Sequence, residues 1–286
     1  MRGRNIVSDE KSGRLAVHPP LEASLMNGET PGWVGRDVRS NMGRERIAER
    51  LSLFRNNYER FIQSLAALTD FFAEIPSEPV LGSDGTMTPH WSNQYLPQGD
   101  AIALCGFLLK YNPAVYMEIG SGNSTKFARR VISQFNLRTK IISVDPSPRA
   151  VIDAICDDVV RTPVQMVPKG VFQALCKDNI LFIDGSHRCL QNSDVTYVFL
   201  DVLPNLRPGV LIHFHDICWP EDYPSTWTDR LYNEQYVLGV LLLFATDYEI
   251  LYPSNYVRLD PALNRLFRTV LNRPPTGSSI WMRFAR

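Results

Sequence analysis

The chain has 286 residues, its formal net charge at pH 7 is zero, and 44% of its residues are hydrophobic against 21% charged. This composition is ordinary for a globular protein, and the lack of a basic stripe argues against extended nucleic-acid binding. The five cysteines form no CxxC pair, which favours free thiols over a disulfide framework or a zinc knuckle. The first residues lack the apolar core of a signal peptide, and the longest apolar run, 237–245, is too short for a bilayer span. The sequence therefore predicts a cytoplasmic protein without a membrane partner.

Two segments precede the first predicted strand. Residues 1–42 are rich in Gly, Arg, Ser and Asn, which predicts a mobile N-terminal arm. Residues 43–97 predict a helical extension and a loop, because apolar residues recur there at alternating steps of four and three, a heptad seam on one helix face. The seam packs either on the chain's own domain or against a second copy in a homo-oligomer, and the sequence leaves both open. It runs through Ile47, Leu51, Phe54, Tyr58, Phe61, Leu65, Leu68 and Phe72.

From residue 98 the pattern alternates between strands and helices and predicts one domain over 98–286. Helices are expected at 98–111, from 124 onward, and at 148–156, 170–176, 190–203 and 228–245. Strands are expected at 114–117, 140–145, 158–167, 179–184 and 209–215, with two last strands at 248–252 and 279–285 on either side of an insertion, 254–276. This order predicts an α/β fold, a doubly wound, Rossmann-like seven-stranded sheet that is mostly parallel with an antiparallel last strand. Ligands of such sheets bind beyond the carboxyl ends of the strands.

A glycine-rich turn, Gly120-Ser121-Gly122, follows the first strand and opens a helix, as in open α/β sheets that bind nucleotides. A helix N-terminus favours an anion such as a dinucleotide pyrophosphate, but Glu118 would oppose that anion and favour a cation. The third glycine of the dinucleotide pattern is also missing, because Thr125 stands there. We therefore expect a positively charged nucleoside, S-adenosylmethionine, rather than NAD. Asp145, at the end of the second strand, can accept hydrogen bonds from the ribose hydroxyls of either ligand.

Titratable side chains also follow two later strands. The motif DGSH comes after the fourth strand, and HFHD closes the fifth. Because neighbouring parallel strands end at the same edge of a sheet, we expect these residues around one cleft. They predict either a general base, His187 or His215, or a divalent metal held by Asp184, His215 and Asp216. Strand alternation places His213 on the same face as His215 but deeper, as a buried core histidine.

The motifs EIGSGNST, VD, FIDGSH and HFHDI make residues 91–257 resemble the class I S-adenosylmethionine-dependent methyltransferases. The pieces DGSH and NEQY resemble methyltransferase-domain family 24, a branch similar to metal-dependent O-methyltransferases of macrolide sugars. The resemblance implies methyl transfer to a hydroxyl of a small-molecule acceptor in natural-product biosynthesis. It also implies that the histidine three positions after the fourth-strand aspartate, here His187, is the base. Where those enzymes hold Mg with an acidic pair, this chain has His215-Asp216, so the metal would be Mg, Mn or Fe, or there would be none.

We expect the cofactor at the ends of the first, second and fourth strands, at Glu118, Gly120, Ser121, Gly122, Ser124, Asp145 and Asp184. Aromatic residues on nearby loops are candidates for the walls of the acceptor site, namely Trp91, Tyr95, Trp219, Tyr223 and Trp227. Two other classes stay open. An NAD-dependent oxidoreductase could use the same fold, although Glu118 argues against it. A non-catalytic protein could keep the nucleoside site as a scaffold, although the extra imidazoles argue against that.

Overall fold

The computed structural model describes residues 42–82 and 88–284, so the predicted arm over 1–42 lies outside the described residues apart from Met42. Helices α1 to α3 come first, at Met42–Ser52, Arg55–Ser64 and Thr69–Glu74, with a 3₁₀ turn at Leu65–Leu68. The later helices are α4 Gln98–Tyr111, α5 Asn123–Gln134, α6 Lys169–Gln173, α7 Asp194–Tyr197, α8 Glu234–Phe244, α9 Ser254–Leu259 and α10 Pro261–Leu271. The strands are β1 Val115–Ile119, β2 Lys140–Val144, β3 Asp158–Val160, β4 Ile180–Ile183, β5 Leu211–Phe214, β6 Tyr248–Pro253 and β7 Ile280–Phe284.

The strands of the described segments form one sheet in the order β3-β2-β1-β4-β5-β7-β6. All neighbouring pairs are parallel except those of β7, which runs antiparallel to β5 and to β6. The predicted seven-stranded α/β sheet with an antiparallel last strand is confirmed. The chain winds outward from β1 to β3 and then returns to β4 on the other side of β1. That reversal opens a crevice beyond the carboxyl ends of β1 and β4. Ligand sites of open α/β sheets lie in such crevices.

The N-terminal helices belong to the same core as the sheet. The seam residues other than Phe54 are at most 1% exposed. Phe61 of α2 stacks on Phe107 of α4 with ring centroids 4.3 Å apart and lies 5.0 Å from the ring of Tyr252 in β6. The seam therefore packs on the chain's own domain, and its buried side chains present no face to a second copy. None of the helices in 42–82 and 88–284 is long and apolar enough to cross a membrane.

Several predicted elements have different bounds in the structure, and three of these differences have a clear local cause. Residues 148–156 form a loop with a single 3₁₀ turn rather than a helix, consistent with the low helix propensity of β-branched Val151 and Ile152. The third strand is only three residues long and stops before Pro163, which cannot donate to a strand ladder. The helix expected from residue 228 begins at Glu234, because Leu231 has a left-handed backbone with a φ of 55°. Each of these three differences lies in a connection around the carboxyl edge of the sheet.

Candidate active site

A cleft of about 880 Å³ lies beyond the carboxyl ends of β1, β2, β4 and β5. Residues that close these strands form its floor, and residues of 94–97, 145–149, 163–165 and 227–232 form its walls. A volume of this size is typical of sites that enclose a small organic ligand. The glycine turn, Asp145 and both acid–histidine motifs contribute residues to this one cleft.

In the turn after β1, the backbone at Gly120 approaches the backbone at Asp184 so closely that only glycine fits. Gly120 has a φ of 82°, and a Cβ at this position would lie 1.8 Å from the carbonyl oxygen of Asp184. The next amide, that of Ser121, donates to Asp145 Oδ2 at 2.8 Å, and the amide of Ser147 donates to Asp145 Oδ1 at 2.8 Å. Each carboxylate oxygen keeps a second lone pair, so Asp145 is held in place with acceptor capacity left for hydroxyl groups.

Glu118 does not line the cleft. Its side chain is fully buried beneath the turn, where Tyr116 Oη and Thr125 Oγ1 each donate to one carboxylate oxygen at 2.5 Å. Thr125 Oγ1 also accepts from the amide of Gly122 at 3.0 Å, so this acid fixes the start of α5. Burial, only partly offset by the hydroxyls of Ser124, Thr125 and Tyr116, raises the pKa of Glu118 to about 7. Of the expected cofactor residues, Gly120, Ser121, Asp145 and Asp184 line the cleft, whereas Glu118, Gly122 and Ser124 do not, and their contacts with a cofactor stay predictions.

His187 lies at the floor of the cleft between carboxylates. Its Nδ1 is 2.8 Å from Glu234 Oε2, and its Nε2 is 3.1 Å from Asp184 Oδ1 and 3.6 Å from Asp216 Oδ2. Burial alone would lower the pKa of the ring, but the hydrogen bonds with Asp184 and Glu234 outweigh it and raise the pKa well above its usual value. Glu234 is itself 1% exposed, and burial raises its pKa. A cleft-lining histidine with one ring nitrogen fixed by a buried acid has an arrangement in which it can act as a general base.

His215 lies beside His187 at the end of the neighbouring strand. Its Nε2 is 3.5 Å from Asp100 Oδ2, and its Nδ1 is 3.4 Å from Asp184 Oδ1 and 3.5 Å from Asp216 Oδ1. Burial opposes the charge of the ring, but Asp184 and Asp216 outweigh it and raise the pKa of His215 well above its usual value. Conversely, burial opposes ionisation of Asp184, yet the charge of His215 and the hydrogen bond from His187 lower the pKa of Asp184 far below its usual range. Acids and imidazoles thus stabilise each other's charges.

Asp100 and Glu234 complete this cluster and were not predicted as site residues. Asp100, in the first turn of α4, is 1% exposed and accepts from the hydroxyls of Ser254 and Ser279 at 2.5 Å each and from the amide of Ser278 at 2.9 Å. The only sequence signals were an acid inside the otherwise apolar α4 and the acid of the NEQY piece. Both residues support a histidine from behind rather than face the cleft, since neither lines it.

One residue in each of the motifs DGSH and HFHD has an uncommon backbone conformation. His187 has a φ of 59° and Asp216 a φ of 51°, in the left-handed region that residues other than glycine rarely adopt. Such conformations cost of order 1–3 kcal/mol and occur preferentially at functional sites. The surrounding hydrogen bonds therefore hold both side chains where an unconstrained turn would not.

His213 is separate from the cluster. It is 1% exposed and stacks on Phe182 with ring centroids 3.8 Å apart. Burial first, and then the nearby charge of His215, lower its pKa well below the usual value. It is a neutral core histidine, as expected from its position one layer below His215 on β5.

The predicted metal ligands Asp184, His215 and Asp216 do come together. Among residues 42–82 and 88–284, however, no group of three or more His, Cys, Asp or Glu side chains is arranged to hold a metal ion. Asp184 Oδ1 pairs instead with His187 Nε2 at 3.1 Å, and it also lies 3.4 Å from His215 Nδ1. The expectation of Mg, Mn or Fe is without support in this arrangement, and these side chains do not fit a resident metal as they stand.

The walls of the cleft are partly aromatic. Of the five aromatic residues expected there, Tyr95 and Trp227 line the cleft. The other three pack in the interior or against it, namely Trp91, Trp219 and Tyr223. Tyr232, which was not predicted, does line the cleft, and its ring centroid is 4.6 Å from that of His187. Tyr232 thus places an aromatic surface directly beside the candidate base.

The sheet order, the glycine turn at the switch point and the acid at the end of β2 are those of a Rossmann-like domain, a fold that binds its ligands beyond the carboxyl ends of the strands. Residues 117–217 match the family model described as a methyltransferase domain, which belongs to the class I S-adenosylmethionine-dependent methyltransferases. The resemblance found in the sequence is confirmed at that level, and S-adenosylmethionine is the cofactor that the family implies. No curated protein matches the chain. Asp100, Glu234 and the aromatic wall lie outside the matched residues.

Proposed function

We propose that the protein transfers the methyl group of S-adenosylmethionine to a hydroxyl of a small-molecule acceptor, with His187 as the general base. The observation that carries this proposal is the Glu234–His187 pair, whose facing atoms are 2.8 Å apart at the floor of the cleft. A scaffold that only bound a nucleoside would have no need of a buried acid behind a cleft histidine. The similarity to O-methyltransferases of macrolide sugars is part of this proposal and supports oxygen as the acceptor atom.

The cofactor fits the half of the cleft formed by β1 and β2. Gly120 and Ser121 line it with backbone rather than with a bulky side chain, and Asp145 beside them has acceptor capacity for two ribose hydroxyls. Once bound, S-adenosylmethionine supplies the methyl group, which moves to the acceptor oxygen as the carbon–sulfur bond breaks and its electron pair stays on sulfur. The protein's part is alignment of the acceptor oxygen behind that methyl group, which can contribute about 7–11 kcal/mol.

The acceptor hydroxyl must also lose its proton, and Nε2 of His187 is placed to take it. The raised pKa keeps the resting ring protonated toward Asp184, so the ring must lose that proton before it can act as a base. A positively charged cofactor nearby lowers the pKa of the ring, because like charges disfavour the protonated form.

His215 supports this reaction without being the first base. It is 2% exposed, and its two ring nitrogens lie 3.5 Å from Asp100 Oδ2 and 3.4 Å from Asp184 Oδ1. In that position its positive charge keeps Asp184 ionised between the two histidines. We therefore assign His215 to electrostatic positioning of Asp184 and His187 to proton removal.

The test begins with calorimetry of S-adenosylhomocysteine and continues with transfer of a tritiated methyl group to a panel of hydroxylated compounds. His187→Gln should bind S-adenosylhomocysteine like the unmodified protein while methyl transfer falls by about 100- to 10,000-fold, the range of general-base contributions. His90→Gln, outside the cleft, is the matched control and should keep full transfer. Full transfer by His187→Gln would refute the base, and absence of S-adenosylhomocysteine binding would refute the methyltransferase proposal as a whole.

A second test concerns metal. Because both imidazoles are held by carboxylates in this arrangement, the proposed base needs no ion, and methyl transfer should be unchanged after dialysis against EDTA. Loss of transfer in EDTA that Mg²⁺ or Mn²⁺ restores would overturn the metal-free base. It would show instead that an ion completes the cluster of Asp184, His187, His215 and Asp216.

A further inference from the structure

Two arginines face the cleft beyond the candidate base. Arg188, which directly follows His187 in the chain, and Arg230 both line the cleft. Nε of Arg188 donates to the carbonyl oxygen of Arg230 at 2.9 Å, which ties the two loops together. Within residues 42–82 and 88–284, neither guanidinium forms an ion pair with a carboxylate. Arginines elsewhere in the fold do form such pairs. Two positive charges are thus uncommitted on one wall.

The Arg230 guanidinium is held by aromatic rings. Its Cζ lies 4.3 Å from the ring centroid of Trp227 and 5.6 Å from that of Tyr232. Stacking on an aromatic face restricts the guanidinium but leaves its in-plane N–H groups free to donate. Tyr232 is also the ring next to His187, with centroids 4.6 Å apart. Tyr232 is therefore next to both the Arg230 guanidinium and the candidate base.

The acids that line the cleft do not neutralise these arginines. Asp184 and Asp216 face the two imidazoles, and Asp145 accepts two backbone amides. Asp194 accepts from both the amide and the hydroxyl of Ser186, at 2.6 Å and 2.5 Å. Each cleft acid thus has its own donors, and the positive charge of Arg188 and Arg230 is available to a ligand.

We propose, building on the methyltransferase function above, that the acceptor carries an oxyanion, a carboxylate or a phosphate, near its reactive hydroxyl and that Arg188 and Arg230 bind this group. Guanidinium groups present paired N–H donors that match the geometry of carboxylate and phosphate oxygens. Trp227 and Tyr232 provide an apolar face for the body of the same acceptor. Neutral hydroxyl compounds would leave both guanidinium groups without a partner, so the site selects acidic acceptors.

The test uses matched pairs of acceptors with a tritiated methyl donor. One arm pairs hydroxyaryl carboxylic acids with their amides, and the other pairs sugar phosphates with the free sugars. The acid of a pair should have a kcat/KM at least about tenfold above that of its neutral partner, since hydrogen bonds to charged groups are the stronger ones. Arg188→Met and Arg230→Met should each remove about tenfold of the acid's kcat/KM and change that of the neutral partner little. The arm with the larger ratio of acid to neutral kcat/KM shows whether the oxyanion is a carboxylate or a phosphate.

Arg149→Met is the matched control. Arg149 also lines the cleft and lies over an aromatic ring, with its Cζ 5.2 Å from the centroid of Tyr95, but it is on the side of Asp145. This variant should keep the ratio of acid to neutral acceptor. Three results would overturn the proposal. The protein could use neutral acceptors as well as their acids, or it could turn over no acid at all. The ratio of the acid's kcat/KM to that of its neutral partner could also persist in Arg188→Met and Arg230→Met. Calorimetry of S-adenosylhomocysteine on every variant separates these results from failure of the methyltransferase function, which would abolish that binding in the unmodified protein.

Discussion

Replacing Glu118 by Gln tests what this buried acid does for the fold. The substitution keeps the shape of the side chain and removes its charge. In the folded protein burial raises the pKa of Glu118 from 4.5 to about 7. A carboxyl group with a raised folded pKa binds its proton more tightly in the folded state than in the unfolded state. Its contribution is therefore fully present below pH 4.5 and is lost as the pH rises toward 7.

The size of the effect follows from the two pKa values. At about 1.4 kcal/mol for each tenfold change in acidity, ionising Glu118 costs the folded state about 3 kcal/mol above pH 7, of which about 2.5 kcal/mol is lost between pH 5 and pH 8. Urea unfolding followed by circular dichroism at pH 5, 6, 7 and 8 gives the free energy of unfolding for both proteins. The difference in stability between Glu118→Gln and the unmodified protein should shift in favour of the variant by about 2 kcal/mol or more over this range. Glu45→Gln, an exposed acid on α1, should show no such shift and is the control.

The same variant decides how the cleft selects its cofactor. If Glu118 only holds Thr125 and the glycine turn, Glu118→Gln should bind S-adenosylhomocysteine with a Kd within about threefold of that of the unmodified protein. A stability difference that does not change between pH 5 and pH 8 would refute the burial argument. A Kd about 100-fold weaker in a variant that remains folded would show that the charge of Glu118 acts on the cofactor after all.

Three other substitutions probe the cleft. Glu234→Gln removes one of the two acids that raise the pKa of His187, so the acidic limb of the kcat/KM profile for methyl transfer should move to lower pH; an unmoved limb would contradict the pairing. Asp145→Asn should raise KM for S-adenosylmethionine about tenfold and change kcat by less than about twofold, and a fall in kcat alone would count against a ribose contact. Gly120→Ala places a Cβ 1.8 Å from a carbonyl oxygen, so calorimetry should show a Tm lower by about 5 °C or more, whereas Gly170→Ala, with nothing within 4 Å of its Cβ, should keep its Tm within about 1 °C.

The sheet could be predicted from the sequence because each strand ends in a recognisable signal. Alternating apolar runs and helices predict the order of elements, and the acids and histidines at strand ends predict the position of the cleft. The 148–156 loop was missed because helix propensity is a weak guide in a short segment between two strands. Leu231 has a left-handed backbone, so α8 begins only after it, and the hydrophobic pattern of the sequence does not indicate this conformation.

Only part of the site could be predicted from the sequence, because the acids that hold its histidines come from distant parts of the chain. Glu234 is 47 positions from His187, and Asp100 belongs to a helix that precedes β1. An acid at the start of an apolar helix can face solvent or the core, and local spacing does not distinguish the two. The direction of Glu118 could not be predicted either, since an acid two positions before a glycine turn can point into the cleft or beneath the turn. Only the neighbouring hydroxyls of Tyr116 and Thr125 decide it.

The preference for a positively charged nucleoside therefore needs a different physical source from the one expected. Glu118 is buried with a pKa of about 7, so at neutral pH it is partly uncharged and too enclosed to attract a ligand. The negative charge comes instead from the acid–histidine cluster beneath the cleft, in which four carboxylates surround two imidazoles. Carboxylates outnumber imidazoles in this cluster, and it lies in a region of low dielectric, where Coulomb forces are strong. A sulfonium brought to the floor of the cleft is attracted by the same acids that orient His187, so cofactor selection and proton removal depend on one set of side chains.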